Sequence, residues 1–312
     1  MLIRTYQPGD EQAQACIYNT AAAGLPAFKA ANPEEIIRRH RGHANDPGSR
    51  FYAVHGEEVV GYATFCPSGR VSYPWCLPGA ESAREPLHKA VLAEMTRRGL
   101  PEAWSTYRSD WSAVLEFFQA HGFHEKRQMI NYLAEVAWMP DRPDLPDNRV
   151  IEPLDPAALG ELISMAPGIF SSVEPRSLEA FFWENPHYAF CESLFALKEA
   201  GSGRLLGVSL LVLDERFADP SRIDAAMPCF RLGAFGYEGE RHKRVNGLFS
   251  CIFSDPAESD LLLAAPNWSR ARASGLTHVA AQAPSDASAL CAFYDRCFHR
   301  QGAFPILSRR LG

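Results

Sequence analysis

The sequence lacks three features, and each absence excludes a class of protein. Acidic residues outnumber basic ones, 37 Asp and Glu against 31 Lys and Arg, for a net charge of −6. General nucleic-acid binding is therefore not expected, because a polyanionic partner usually requires a basic surplus. The eight cysteines are scattered, with no Cys-x-x-Cys pair and no metal-ligand spacing, so we predict reduced thiols and no metal site.

Long apolar runs are also missing. No stretch approaches the roughly 20 residues that cross a membrane. The first four residues, Met-Leu-Ile-Arg, lead directly into a strand-like pattern rather than a signal peptide. We therefore predict a soluble cytoplasmic protein without a membrane partner.

The chain shows a repeated order of elements on either side of a proline-rich joint. Its 312 residues exceed the roughly 250–300 at which single cores stop growing. Between residues 139 and 148, three prolines and several acids exclude regular structure, which predicts a linker. On both sides we predict a strand, two helices, three strands, a helix, a strand, a helix and a strand. The expected organisation is two similar α+β domains, residues 1–138 and 149–312.

The most distinctive stretch covers residues 231–253. An apolar run is followed by the basic residues Arg241, Lys243 and Arg244, then by Asn246-Gly247 and a second apolar run. We predict a strand, a cationic loop and a helix that begins near Leu248. The N-terminus of a helix favours an anion, and arginine and lysine add charge-assisted hydrogen bonds to phosphate. A solvated basic turn is the alternative interpretation.

The same order of elements resembles the GNAT superfamily of acyl-CoA-dependent N-acyltransferases, in tandem. The residues that carry the resemblance are 58–63 and 115–123 in the amino half, and 204–209 and 292–296 in the carboxyl half. The resemblance implies two domains, each with a mixed, mostly antiparallel sheet flanked by helices. It also implies transfer of an acetyl or other acyl group from acetyl-CoA, or another acyl-CoA, to an amine of a small molecule or peptide.

The family's CoA loop, Arg/Gln-x-x-Gly-x-Gly/Ala between the fourth strand and third helix, is incomplete in both halves. Residues 79–86 lack the glycine pair, whereas residues 244–249 keep the arginine and first glycine but have Phe249 at the second. A second register at 255–260 would place three acids against phosphate and is not favoured. The resemblance thus implies that the carboxyl half binds CoA, and that its ligands are Arg241, Lys243, Arg244, Val245, Asn246, Gly247 and Leu248.

Many family members use a tyrosine in the last helix to protonate the departing thiolate. Tyr294 occupies this position in the carboxyl half, whereas the amino half has Phe118, which has no proton to give. Glu238 is the candidate base for the amine. The alternatives are a core tyrosine and a solvated loop carboxylate.

The acceptor site of the family usually follows the second helix. In the carboxyl half this region is predicted to present Trp183, Glu184 and Tyr188, although such a run can also be a helix end packed under a loop. Two other functions remain open: a non-catalytic acyl-CoA binder, because both glycine patterns are incomplete, and a fold relative that moves aminoacyl groups from tRNA, which the acidic balance disfavours.

Overall fold

Two β-sheets form the framework of the protein. The computed structural model describes residues 1–28, 30, 31, 33, 36, 46–139, 144–166, 179, 193–212 and 245–312. The first sheet has the order β1-β2-β3-β4, with every neighbouring pair antiparallel. Its strands are β1 (Leu2–Thr5), β2 (Arg50–His55), β3 (Glu58–Thr64) and β4 (Trp75–Cys76).

The second sheet has the order β5-β12-β6-β11-β10-β9-β8-β7. Its neighbouring pairs are antiparallel except β10 and β11, which run parallel. The strands are β5 (Glu102–Thr106), β6 (His124–Glu135), β7 (Arg149–Pro153), β8 (Leu194–Glu199), β9 (Leu205–Val212), β10 (Val245–Phe253), β11 (His278–Pro284) and β12 (His299–Arg310).

Helices flank both sheets, and the expected α+β class with mixed, mostly antiparallel sheets is confirmed. The described helices are α1 (Asp10–Ala21), α2 (Arg84–Arg97), α3 (Ser112–Ala120), α4 (Leu159–Met165), α5 (Pro266–Ala273) and α6 (Ser288–Cys297). A 3₁₀ segment, Pro256–Ala264, follows β10, with shorter ones at Pro47–Ser49, Glu81–Ala83, Val136–Trp138 and Pro156–Ala158.

The last strand of each half lies among the strands of the other half. β12, at the end of the chain, inserts between β5 and β6, and β6 in turn pairs with β11. The boundary at 139–148 therefore separates the halves along the chain, while the large sheet crosses it. The domain limits 1–138 and 149–312 remain a prediction.

The two largest hydrophobic cores likewise contain residues from both halves of the chain. Tyr132 and Ala134 of β6 pack in one core with Phe249, Phe293 and many other residues of the second half. Conversely, Leu307 of β12 belongs to the core that contains Phe118 of the first half. Each core is thus completed by a strand from the other half.

The helix expected near Leu248 is not there, and that prediction was wrong. Residues Val245–Phe253 form β10, between β9 and β11. Phe249 and Cys251 are buried whereas Ser250 is exposed, which is the period of two that a strand requires. An apolar run of this length fits a strand or a buried helix equally well by pattern, and pairing on both sides decides for the strand.

Candidate functional site

β10 and β11 begin as a parallel pair and then separate. They pair only at Val245↔His278, Gly247↔Val279 and Leu248↔Ala280. Beyond that point β10 continues with β9 to Phe253, and β11 continues with β6 to Pro284. We call this gap the β10–β11 split. Within the described residues, backbone groups that face it have no neighbouring strand, so they need other partners, such as side chains, water or a ligand.

A similar separation occurs in the first half. Arg70 forms a parallel bridge with Trp104 of β5, after which β4 and β5 belong to different sheets. Here the backbone N–H of Tyr73 donates to the hydroxyl of Tyr107, 2.7 Å away. Aromatic rings fill this region, with Tyr73 and Trp75 4.8 Å apart and Tyr107 and Phe118 6.0 Å apart. The first half therefore closes its separation with its own side chains.

Tyr294 lies in the core beside the β10–β11 split. It projects from α6 and is fully buried. Its hydroxyl oxygen lies 3.9 Å from the thiol sulfur of Cys251, in hydrogen-bond contact. Cys251 stands three residues beyond Leu248, the last residue of β10 paired with β11. Burial raises the pKa of Tyr294 well above its ordinary value, so the phenol holds its proton at neutral pH.

Phe118 is the counterpart of Tyr294 in the first half. It is also fully buried. The centroid of its ring lies 5.0 Å from that of Phe123 and 5.7 Å from that of Phe117. The surroundings of both positions are largely aromatic, since Tyr294 contacts Phe298 at 5.0 Å. The alternative interpretation of Tyr294 as a core tyrosine therefore fits its burial, and the difference between the halves is the hydroxyl.

Other polar atoms are buried in the same core. The indole nitrogen of Trp268, on α5, and the hydroxyl of Ser209, on β9, have no hydrogen-bond partner in the described part of the chain. The Trp268 ring lies 5.2 Å from Phe249. An unpaired buried polar group costs about 1–3 kcal/mol, which makes this core a candidate place for polar atoms of a ligand.

The segment that follows β10 begins with an acidic cap. The Asp255 carboxylate accepts from the backbone N–H of Ala257 at 2.9 Å, and Pro256 starts the 3₁₀ segment, a common arrangement at helix starts. Glu258 forms an ion pair with Arg149, whose hydrogen bond holds the Glu258 pKa below its ordinary value. Asp260 pairs with Arg296 of α6.

The structure places a different segment between strand and helix from the one expected, while the choice of cofactor loop stays a prediction. Residues 255–260, the register that was not favoured, follow the strand that the structure shows before α5. The first half is comparable, because Glu81 lies at the start of a 3₁₀ segment and nearby backbone amides lower the pKa of its carboxyl. A carboxylate thus lies beside backbone amides in the corresponding loop of each half.

The structure describes only part of the predicted site. Glu238, Arg241, Lys243 and Arg244, together with Trp183, Glu184 and Tyr188, lie outside the described residues. The backbone of Val245, Asn246, Gly247 and Leu248 forms the first part of β10. A strand of nine residues spans about 30 Å at roughly 3.3 Å per residue. The four residues therefore lie far from the start of the 3₁₀ segment, and their part in cofactor binding stays a prediction.

Sequence reasoning missed three polar residues of this core: Ser209, Cys251 and Trp268. Cys251 was read only as one of several buried thiols, because its neighbours are set by strand pairing. Ser209 carried a usable signal, since Gly207-Val208-Ser209 matches Gly61-Tyr62-Ala63 of the other hairpin with serine in place of alanine.

Two other kinds of feature are absent from the described residues. They contain no group of three or more His, Cys, Asp or Glu side chains arranged to bind a metal ion. None of their helices combines the length and apolar character needed to span a membrane.

No family model matches the sequence, and no curated protein matches it. Solved structures do. A GCN5-related N-acetyltransferase from Sphaerobacter thermophilus is 14% identical, with a TM-score of 0.66 over 99% of this chain and 95% of that chain. A tandem GNAT protein from the clavulanic acid biosynthesis pathway is 11% identical, with a TM-score of 0.59 over 100% of this chain and 98% of that chain.

A third similar structure is a glucosamine N-acetyltransferase region of a fungal multi-domain GH3 beta-N-acetylglucosaminidase. It is 13% identical, with a TM-score of 0.65 over 99% of this chain and 38% of that longer chain. At such identities the likeness concerns the fold alone. The chain therefore has a tandem GNAT-like fold, and the expectation of that fold is confirmed.

Proposed function

We propose that the protein is an acyl-CoA-dependent N-acyltransferase whose active site is the β10–β11 split of the carboxyl half. The observation that carries this proposal is the buried hydroxyl of Tyr294 beside the split, where the first half has Phe118. The similar solved structures bear the names of N-acetyltransferases, which supports acetyl-CoA as donor. The proposed acceptor is an amine of a small molecule or peptide.

The residues at the split fit such chemistry in part. Acetyl-CoA, when bound, supplies the acyl group as a thioester. Tyr294 holds the proton that a departing thiolate needs, and backbone N–H groups along the open edge of β10 can polarise a carbonyl. Buried polar atoms of Ser209 and Trp268 suit a ligand with amide groups. Glu238 remains the proposed base.

The residues that would contact the phosphates of CoA fit the cofactor less well. The carboxylate of Asp255 occupies the amide of Ala257, and a cap of this kind contributes about 0.5–2 kcal/mol to a helix start. A bound phosphate would have to displace it. Arg241, Lys243 and Arg244 are the proposed source of the compensating positive charge, with backbone contributions from Val245 to Leu248.

A second candidate function is a non-catalytic acyl-CoA binder. The specific observation in its favour is a carboxylate in the corresponding loop of each half: the Asp255 cap in the second half and, in the first, Glu81, whose pKa is lowered by backbone amides. Two loops that both place a carboxylate beside backbone amides are consistent with halves that have lost strong pyrophosphate binding. Such a protein would bind acyl-CoA weakly and release no thiol.

A thermal-shift titration with acetyl-CoA, followed by a thiol-release assay against a panel of amines, tests both functions. We expect stabilisation of the wild type and amine-dependent thiol release. Tyr294→Phe should keep the shift and lose about 10²-fold or more in kcat, the usual contribution of a general acid. Tyr132→Phe is the matched control, because its ring lies 5.1 Å from Tyr294 in the same core.

The outcomes separate the proposals. If acetyl-CoA stabilises the protein but no amine causes release of the CoA thiol, the non-catalytic acyl-CoA binder is favoured over the transferase. Equal thiol release by Tyr294→Phe and the wild type would remove Tyr294 from catalysis. Absence of any shift with CoA or acetyl-CoA would overturn both functions. Arg244→Ala should weaken the shift if the basic residues contribute to binding.

A further inference from the structure

The second sheet carries polar side chains on the face opposite Tyr294. Alternate residues of β6 and β11 pack in the core that contains Tyr294: Ile130, Tyr132 and Ala134 of β6, and Val279, Ala281 and Ala283 of β11. Because successive side chains of a strand point to opposite faces, the residues between these lie on the other face of the sheet. We call that side the far face. Asn131 and Gln282 lie on it.

Asn131 of β6 and Gln282 of β11 form a pair of carboxamides. They are direct partners in the antiparallel ladder, and the side-chain nitrogen of Gln282 lies 2.7 Å from the side-chain oxygen of Asn131. A carboxamide has a donor end and an acceptor end, so the contact occupies one end of Gln282 whichever way the two groups are turned. The other end of Gln282 has no hydrogen-bond partner in the described part of the chain, and it is available to a ligand.

Gln282 borders the β10–β11 split. The last residue of β11 that pairs with β10 is Ala280, and Gln282 follows on the strand that forms one side of the split. At roughly 3.3 Å per residue, Gln282 lies about 7 Å beyond the point where the strands separate. A group bound in the split therefore has Tyr294 on one face of the sheet and the carboxamide pair on the other.

The two faces suit the two reactants of an acyl transfer. Tyr294 holds the proton proposed for the departing sulfur, so its face suits the leaving group of the thioester. The amine has to reach the acyl carbon while the sulfur is still attached to it. The far face is the side from which an amine approaches without displacing the sulfur, and Gln282 lies there.

The carboxamide pair is electrically neutral. On the same face, the Glu135 carboxylate and the His278 ring lie 3.9 Å apart, four residues along the strands from Asn131 and Gln282, or about 13 Å. A carboxamide supplies hydrogen bonds without charge attraction, so it favours a partner with a hydroxyl or amide group over a polycation.

The two carboxamides come from different halves of the chain. Asn131, from the first half, is fully buried, whereas Gln282, from the second, is half-buried. A free glutamine side chain samples many rotamers, and fixing one of them costs conformational entropy. The contact with Asn131 fixes the Gln282 carboxamide before a ligand binds, which is how preorganised sites gain affinity.

We propose that Gln282 hydrogen-bonds the acceptor at the β10–β11 split, through a hydroxyl or amide group beside the reacting amine, and that Asn131 is a positioning residue for Gln282. The substrate class is thus a primary amine with a neutral polar neighbour, such as an amino sugar or an amino-acid amide. This inference rests on the proposed acyl transfer and names the acceptor class of that reaction. The first half thereby completes a site of the second.

Steady-state thiol release from acetyl-CoA tests the contact with three acceptors. Glucosamine and glycinamide carry a polar group beside the amine, whereas n-butylamine does not. Gln282→Leu should raise KM for the two polar acceptors about three- to tenfold, the equivalent of one hydrogen bond, with kcat and KM for acetyl-CoA and n-butylamine unchanged. Gln128→Ala is the matched control, because this second carboxamide of β6 donates to Glu125 at 3.0 Å and should leave every KM unchanged.

A double-mutant cycle tests the positioning role. Asn131→Ala should raise KM for the polar acceptors, and its combination with Gln282→Leu should be no worse than Gln282→Leu alone, because Asn131 acts through Gln282. Unchanged KM for both polar acceptors in Gln282→Leu would overturn the inference, whether or not Asn131→Ala folds. Effects that multiply in the double variant would remove Asn131 from positioning.

Nuclear magnetic resonance tests the same contact without turnover. The side-chain amide signals of Gln282, assigned by their loss in Gln282→Leu, should shift when glucosamine or glycinamide is added to the protein with CoA, and should not shift with n-butylamine. Absence of a shift with both polar amines would overturn the inference. A shift without thiol release from acetyl-CoA would leave the contact standing while the proposed acyl transfer fails.

Discussion

Removing the second half should unfold the first. A chain that ends at residue 138 retains β5 and β6 but lacks β12, which lies between them, and β11, which pairs with the other edge of β6. The lost ladders contain five residue pairs between β5 and β12, nine between β12 and β6, and seven between β6 and β11. β6 would then have no neighbouring strand on either side.

Exposure of apolar side chains that are buried in the intact protein should destabilise the first half more than the lost strand pairing does. Ile130, Tyr132 and Val136 are buried in the core that Phe249 and Phe293 of the second half help to form. Exposing a large apolar side chain costs about 1.5–3 kcal/mol, so three of them cost roughly 5–9 kcal/mol. That is comparable with the whole stability of a typical domain, about 5–15 kcal/mol. We therefore expect no cooperative unfolding transition for residues 1–138.

Circular dichroism and urea titration of residues 1–138 measure this directly. The matched control is the full chain cut at a protease site placed within residues 140–148. Its two fragments should elute together, because the exchanged strands still pair. A cooperative transition of the isolated first half near that of the intact protein, or separation of the cut fragments without denaturant, would refute the exchanged arrangement.

Two further predictions concern single side chains. His88 is buried with both ring nitrogens unpartnered in the described part of the chain, and burial, followed by His121 and Arg309, lowers its pKa to about 4. The unfolded chain, with a histidine pKa near 6.5, binds more protons between these values, so the free energy of unfolding should fall by about 2 kcal/mol between about pH 7 and about pH 5. His88→Phe should reduce this loss, as measured by urea midpoints at about pH 7 and about pH 5; an equal loss in the variant would contradict the assignment. Asp255→Asn keeps the cap but removes its charge, so it should tighten acetyl-CoA binding in calorimetry at unchanged stability, and weaker binding would show that phosphate does not use this amide.

Local patterns in the sequence were sufficient for many elements. The predicted order of a helix, a strand, a helix and a strand at the end of the first half is found as α2, β5 (Glu102–Thr106), α3 (Ser112–Ala120) and β6. These elements have a clear period and distinct ends, such as the Gly122 turn that follows α3 with a positive φ. Their order, repeated twice, was also enough to indicate the tandem fold.

Local pattern failed at β10. Its residues Val245–Phe253 form an apolar run that suits a strand or a helix, and the neighbouring basic residues favoured a helix start at a phosphate. Only pairing with β9 and β11, which lie far away in the sequence, decides its state. The acidic residues 255–260 then follow the strand, and this placement could not be known while β10 was read as a helix.

The sequence by itself determined the kind of many elements, though not of β10, together with their repetition and the contrast between Tyr294 and Phe118, because these depend on residue type and on spacing along the chain. The tertiary structure decided that β6 and β12 exchange places, that β10 separates from β11, and that Ser209 and Cys251 line up with Tyr294. These features depend on contacts between residues dozens to hundreds of positions apart, and such contacts are chosen by packing and strand register rather than by local preference.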